Sequence, residues 1–275
     1  MGIATFAAAQ ILHALPRVRI SRAVGRLCDQ PLHPVVSRLV TRAYCHAYRV
    51  DLDEATVPTG SAFQSFDAFF TRTLKPGMRR VSSDALVSPS DGVLSSVGRV
   101  DGAGRIFVKG KPYDVGELVG DPRDAARYVG GEFAVVYLAP RDYHRVHAPV
   151  DGTLTLVRGV AGDLYPVNAI GERHVSQLFV RNQRAAIVID TEGLGRVSAV
   201  MVGAVIVGRI TVTGIAEPDV PPGVHAVVPP IPLRKGDEIG IFHLGSTVVL
   251  LLEPGLSVVR PTGPVRFGES LLRPA

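Results

Sequence analysis

Three short stretches of this 275-residue chain set reactive side chains among turn residues. The first, Ser88-Pro-Ser-Asp-Gly92, stands just before a run that reads as a strand; an Asp-Gly pair by itself is usually a turn. The second, Tyr137–Pro149 (YLAPRDYHRVHAP), carries His144 and His147 three positions apart. A His-x-x-His pair invites zinc, but zinc needs a third protein ligand and no nearby Cys or Glu–His set supplies one, so no metal site is expected. The prolines and aromatic neighbours suggest histidines held at a pocket rim, where imidazole moves protons near neutral pH. The third, Phe242–Val248 (FHLGSTV), interrupts what otherwise reads as a buried strand ending at Glu253. Alone it suggests a bulge or tight bend, and it is not the G-x-S-x-G nucleophile elbow, because Val248 occupies the place of the last glycine. Taken together, Asp91, His147 and Ser246 supply the carboxylate, imidazole and hydroxyl of a relay in which the acid orients the base and the base activates the alcohol.

The elements that must position these residues read mainly as β structure. Runs rich in Val, Ile and Leu predict strands at Phe133–Leu138, Thr153–Gly159, Val175–Val180, Ala185–Asp190, Val197–Val207, Ile210–Thr213 and Thr247–Leu252, most of them bounded by Gly or Pro turns. Ser65–Thr71 reads as a short helix with Ser65 as N-cap and Phe66, Phe69 and Phe70 on one face. The fold class expected is α+β, mainly β: N-terminal amphipathic helices over residues 1–50, then a sandwich- or barrel-like catalytic body over 51–275. No linker long enough to separate two independent domains is visible.

Hydrophobic residues make up 46% of the chain and charged ones 20%, which excludes a disordered polymer. Cys28 and Cys45 cannot build a disulfide framework or a four-cysteine zinc site. The net charge of +5 is an N-terminal property, since residues 1–50 carry seven arginines and a single acid, Asp29. Met1–Leu15 is apolar but too short to span a bilayer, and so is the longest apolar run, Val197–Gly208. Val36, Leu39, Val40, Ala43 and Ala47 recur at helical spacing with Arg38, Arg42 and Arg49 opposite. That pattern suits a helix lying in the headgroup layer of an anionic membrane; a surface helix packed on the body is the plainer reading. Nucleic acid is not expected, because no basic groove or reader motif accompanies the arginines.

Phe69-Phe-Thr-Arg-Thr-Leu-Lys-Pro-Gly77, Pro89-Ser-Asp-Gly92, Tyr137-Leu-Ala-Pro-Arg-Asp-Tyr-His-Arg-Val-His147 and Leu244-Gly-Ser-Thr247 occur in that order. From about Leu15 to Leu251 the chain resembles the phosphatidylserine decarboxylases, a family of pyruvoyl-dependent proenzymes. Two positions depart from the family pattern: Gln183 stands where glutamate is usual, and His243 precedes Leu244 where no histidine is expected.

The resemblance implies a self-made cofactor. His147, held by Asp91, would deprotonate Ser246, whose oxygen would attack the carbonyl of Gly245 and convert the peptide bond to an ester. Elimination would free a large chain ending at Gly245 and leave dehydroalanine at the head of a small chain, 246–275. Loss of ammonia would then turn position 246 into a covalent pyruvoyl group, the pyruvate cofactor. A Schiff base between that ketone and phosphatidylserine would release carbon dioxide, with His144 as candidate proton donor, and hydrolysis would give phosphatidylethanolamine. The expected setting is peripheral, on the cytoplasmic face of the cell membrane, with a homodimer suggested by the family alone.

Two other classes fit parts of the pattern. A serine hydrolase would use the same Asp91–His147–Ser246 set on an external ester. A biotinyl- or lipoyl-type sandwich would use turns such as Ala148–Leu154 and Ser88–Val93 and would offer Lys109 or Lys111 at a hairpin tip, although neither lies between the methionines such a site carries.

Overall fold

The computed structural model describes residues 16–167, 169–205 and 209–272. Two helices lead, α1 (Arg17–Asp29) and α2 (Pro34–Tyr48), then a short α3 (Phe66–Phe70). Ser65 caps α3 as expected, accepting the Ala68 N–H at 3.0 Å. Strand β1 is Gly92–Arg99, and β2 (Arg105–Val108) and β3 (Lys111–Asp114) form a hairpin. Short helices α4 (Val115–Val119) and α5 (Pro122–Ala125) precede β4 (Glu132–Leu138), β5 (Arg145–His147) and β6 (Gly152–Val160). Then come α6 (Ala169–His174), α7 (Leu178–Arg181), β7 (Arg184–Asp190), β8 (Arg196–Val202), β9 (Arg209–Val212), β10 (Gly223–Leu233), β11 (Glu238–His243), β12 (Ser246–Leu252) and β13 (Gly263–Val265).

An antiparallel eight-stranded sheet runs β10-β6-β7-β8-β12-β4-β1-β13, and β5-β11-β9 form a second, three-stranded sheet. Every residue of β12 is buried. Because side chains alternate faces along a strand, Val248, Leu250 and Leu252 enter one core with Ile210, Ile239 and Phe242 of the small sheet. Val249 and Leu251 enter the opposite core with Tyr113, Leu118 and Tyr128, supplied by the β2–β3 hairpin and the short helices. A strand apolar on both faces belongs in the middle of a covered sheet, which is where β12 lies.

Most predicted strands are present within a residue or two. Val175–Val180 is not a strand: Leu178 and Phe179 are buried on the short helix α7, with Phe179 stacked on Tyr113 at 5.0 Å. The predicted strand Val197–Val207 ends at Val202, and residues 206–208 lie outside the described part, as does the apolar opening segment 1–15. Lys109 does sit at the tip of the β2–β3 hairpin, but its ammonium pairs with Glu172 at 2.6 Å, and Lys111 donates to the Glu172 carbonyl.

The leading helices invert the usual arrangement. Ser37 and Thr41 are the buried residues of α2, with Ser37 donating to the Phe63 carbonyl at 2.8 Å, and Arg17 and Ser21 are those of α1. Leu27 (70% exposed), Val35 (57%) and Leu39 (68%) point outward. The apolar stripe read from the sequence is therefore largely free of the body.

Candidate active site

Ser246 opens β12 opposite Leu138 of β4, and the turn before it joins the two sheets. In that turn Leu244 has φ 84° and Gly245 φ 35°. A leucine in the left-handed region stores on the order of 1–3 kcal/mol and persists only where its surroundings impose it. Added carbon at Gly245 would meet nothing within 4 Å, so the backbone beside the serine is open. The Ser246 hydroxyl is buried and has no hydrogen-bond partner among the described residues. Buried hydroxyls are normally satisfied, so this orphan beside a strained turn marks Ser246 as a candidate reactive group.

His147 ends β5, which pairs with β11. Its Nδ1 lies 2.7 Å from the Gly236 carbonyl oxygen. A carbonyl only accepts, so Nδ1 carries the proton and Nε2 keeps its lone pair. The Tyr143 hydroxyl donates to that Nε2 at 3.2 Å. Burial pushes the His147 pKa down, against the upward pull of the Gly236 bond, Glu238 and Asp91. The result is a neutral imidazole with a base-competent nitrogen.

Asp91 sits at the head of β1, where Gly92 is required: a side chain there would run into the Tyr137 carbonyl oxygen at 2.2 Å. Its carboxylate takes Arg79 Nε at 3.1 Å and a terminal nitrogen of Arg79 at 2.5 Å, and the Phe267 N–H at 2.9 Å. Phe267 stacks on His147, centroids 3.8 Å apart.

His144 is completely buried, with Nδ1 donating to the Asp142 carbonyl at 2.8 Å and Nε2 unpartnered among the described residues. The Phe70 ring lies 4.1 Å away. Burial, aided by the Arg72 cation, lowers its pKa to about 3. As folded, His144 therefore presents an acceptor at Nε2, not a proton to give.

Phe267 brings Asp91 and His147 together, while His144 lies beside Phe242, at the end of β11 that leads into the Ser246 turn, and His147 pairs with Glu238 at the other end of β11. No hydrogen bond among the described residues links Asp91 to His147 or either histidine to Ser246. Arg79, Tyr143 and Phe267 complete the setting. Tyr143 lay inside the histidine stretch, but Arg79 and Phe267 carry no local sequence signal.

Beside the turn, His243 donates from Nδ1 to Asp67 at 2.8 Å and meets Thr211 Oγ1 through Nε2 at 2.9 Å. Arg209 joins Asp67 (3.1 Å) to Asp29 of α1 (2.9 Å). Gln183 donates to both oxygens of Asp219 at 3.2 Å; a glutamate there would set two carboxylates against each other. Both departures from the family pattern are thus locally accommodated.

A family model for phosphatidylserine decarboxylase matches residues 66–273. The chain belongs to the phosphatidylserine decarboxylase family. Relatives carrying the name "phosphatidylserine decarboxylase proenzyme" include one from Anaeromyxobacter sp. (strain K), 41% identical over 94% of this chain and 95% of its own length. Another, from Azotobacter vinelandii, is 41% identical with the same coverage. A third, from Bordetella pertussis, is 41% identical over 98% of this chain and 94% of its own length.

Proposed function

We propose that this member of the decarboxylase family cuts itself between Gly245 and Ser246, makes a pyruvoyl group from Ser246, and converts phosphatidylserine to phosphatidylethanolamine and carbon dioxide. The observation that carries the reading is the buried, unpartnered Ser246 hydroxyl beside the strained Leu244–Gly245 turn.

For self-cleavage, Nε2 of His147 exchanges its bond from Tyr143 for the Ser246 hydroxyl and takes that proton. The oxygen adds to the Gly245 carbonyl carbon, the C–N bond breaks, and the released amine takes a proton, leaving an ester. Removal of the α-hydrogen of residue 246 expels the Gly245 carboxylate and leaves dehydroalanine, whose imine tautomer takes up water and loses ammonia. Asp91, locked by Arg79 and reaching His147 through Phe267, supports the imidazolium that forms.

The new keto group supplies an electron sink for the pair left behind when carbon dioxide departs. His144 can deliver a proton only after its Nε2 has accepted one, and the substrate's ammonium is the group that brings it. The Phe70 ring and the complete burial of His144 keep water from competing for that nitrogen.

The outward Leu27, Val35, Val36 and Leu39, together with the arginines of α1 and α2, support seating on the cytoplasmic face of an anionic membrane. Among the described residues no helix is long and apolar enough to cross a membrane.

Mass measurement under denaturing conditions tests the reading. Two chains, 1–245 and 246–275, with the small one carrying a ketone that hydroxylamine traps, are expected. Ser246→Ala should stay a single 29.3 kDa chain. Cleavage of that variant at the same bond, or an uncut wild-type chain labelled at Ser246 by a serine-reactive phosphonate, overturns it.

A further inference from the structure

Arg72 follows α3 by two residues and is only 6% exposed. One terminal nitrogen donates to the carbonyls of Arg141 (3.0 Å) and Asp142 (3.4 Å), while its buried Nε has no acceptor among the described residues. Among the described residues no carboxylate lies within ion-pair distance of it. A buried guanidinium without a counter-ion is costly, and its pKa is accordingly drawn down by burial.

The same side chain lines a cavity of about 360 Å³ next to Asp91 and Tyr143. The neighbouring arginines there are already paired: Arg79 with Asp91 and Glu54, Arg141 with Asp142, Arg260 with Glu269, Arg266 with Glu54. Arg49, at the C-terminal end of α2, also lines the cavity and is exposed, with no carboxylate partner among the described residues. Arg72 and Arg49 therefore face one polar space without an ion pair of their own among the described residues, although the carboxylates of Asp51 and Asp142 also line it.

We propose that Arg72, with Arg49 at the rim, is the binding site for a phosphate anion, namely the phosphodiester of the phosphatidylserine headgroup; this identity of the ligand rests on the function proposed above. Arginine's planar fork matches phosphate oxygens, and a bound phosphate supplies the counter-charge that the fold omits. The site is adjacent to the chemistry, since Phe70, two residues before Arg72, packs on His144. A phosphate on Arg72 also offsets the cation that disfavours the protonated form of His144.

The test is equilibrium binding of sn-glycero-3-phosphoserine and of inorganic phosphate to the full-length, uncut Ser246→Ala chain, by calorimetry. Adding Arg72→Gln should weaken glycerophosphoserine binding by about tenfold or more, as loss of a charge-assisted contact does, and Arg72→Lys should recover part of it. Unchanged affinity overturns the proposal. Inorganic phosphate binding as tightly as glycerophosphoserine overturns the headgroup assignment and makes the site one for free phosphate. Self-cleavage of the single Arg72→Gln variant reports its folding, and if it does not fold, the Arg72→Lys comparison carries the test. Arg72-dependent binding in a protein whose cleaved wild-type form does not decarboxylate upholds the anion site while the functional reading falls.

Discussion

The ring of Phe267 lies on the imidazole of His147, 3.8 Å between centroids and 7° from parallel, while the backbone N–H of Phe267 donates to Asp91 at 2.9 Å. Phe267 therefore joins Asp91 and His147, the proposed acid and base, which share no hydrogen bond among the described residues. Phe267→Ala removes the stacking surface, worth about 0.5–1.5 kcal/mol beyond area burial, and leaves the backbone bond in place. We expect slower self-cleavage, by about threefold to tenfold, with restoration by Phe267→Tyr. Time courses of precursor loss on denaturing gels decide it, and an unchanged rate removes Phe267 from the relay.

On the proposed mechanism, His147 sets the pH dependence of maturation. Its neutral form is the proposed base, and burial holds its pKa below the ordinary 6.5. Lowering the pKa keeps the imidazole neutral further into acid, so the acid limb of the cleavage-rate profile should have its midpoint below pH 6.5. A midpoint at or above that value in refolded precursor would contradict a buried neutral base.

Leu27 and Leu39, 70% and 68% exposed, are the residues to test for membrane seating. Burying one leucine in an apolar phase is worth about 1.5–3 kcal/mol, so replacing both by aspartate should reduce flotation with phosphatidylserine-containing vesicles by at least about tenfold while self-cleavage continues. Undiminished flotation would defeat that role for the two helices.

Leu250, fully buried in β12 and paired with Ala134 and Ala199 on either side, tests the sheet. Leu250→Ala should cost about 2–5 kcal/mol, read as a lower urea midpoint in the Ser246→Ala background, where a single chain unfolds. A loss under about 1 kcal/mol would mean the strand is not a close-packed centre.

The strands legible in the sequence are those, such as β7 and β12, whose unbroken Val/Ile/Leu runs reflect burial on both faces. β10 escaped because Pro229 and Pro230 argue against a strand, and they are tolerated because β10 is an edge of the sheet with an irregular register beyond Ala226. Val175–Val180 misled because apolar composition does not distinguish a short strand from a buried helical turn. Asp91, the two histidines and Ser246 were visible because each lies in a contiguous motif. Arg79 and Phe267 were not, since only the fold brings position 267 to position 91. The helical spacing in α2 was readable, but not that Ser37 and Thr41 would turn inward, because inner and outer faces share the same period.

β12 lies between β8 and β4, hydrogen-bonded along both edges. A loosely held cofactor can dissociate and be replaced from the cell's supply; the keto group proposed at the head of this strand would have no such exchange. Damage to it, by reduction or by capture of a stray amine, would retire the whole polypeptide, and activity could be renewed only by synthesis of new precursor.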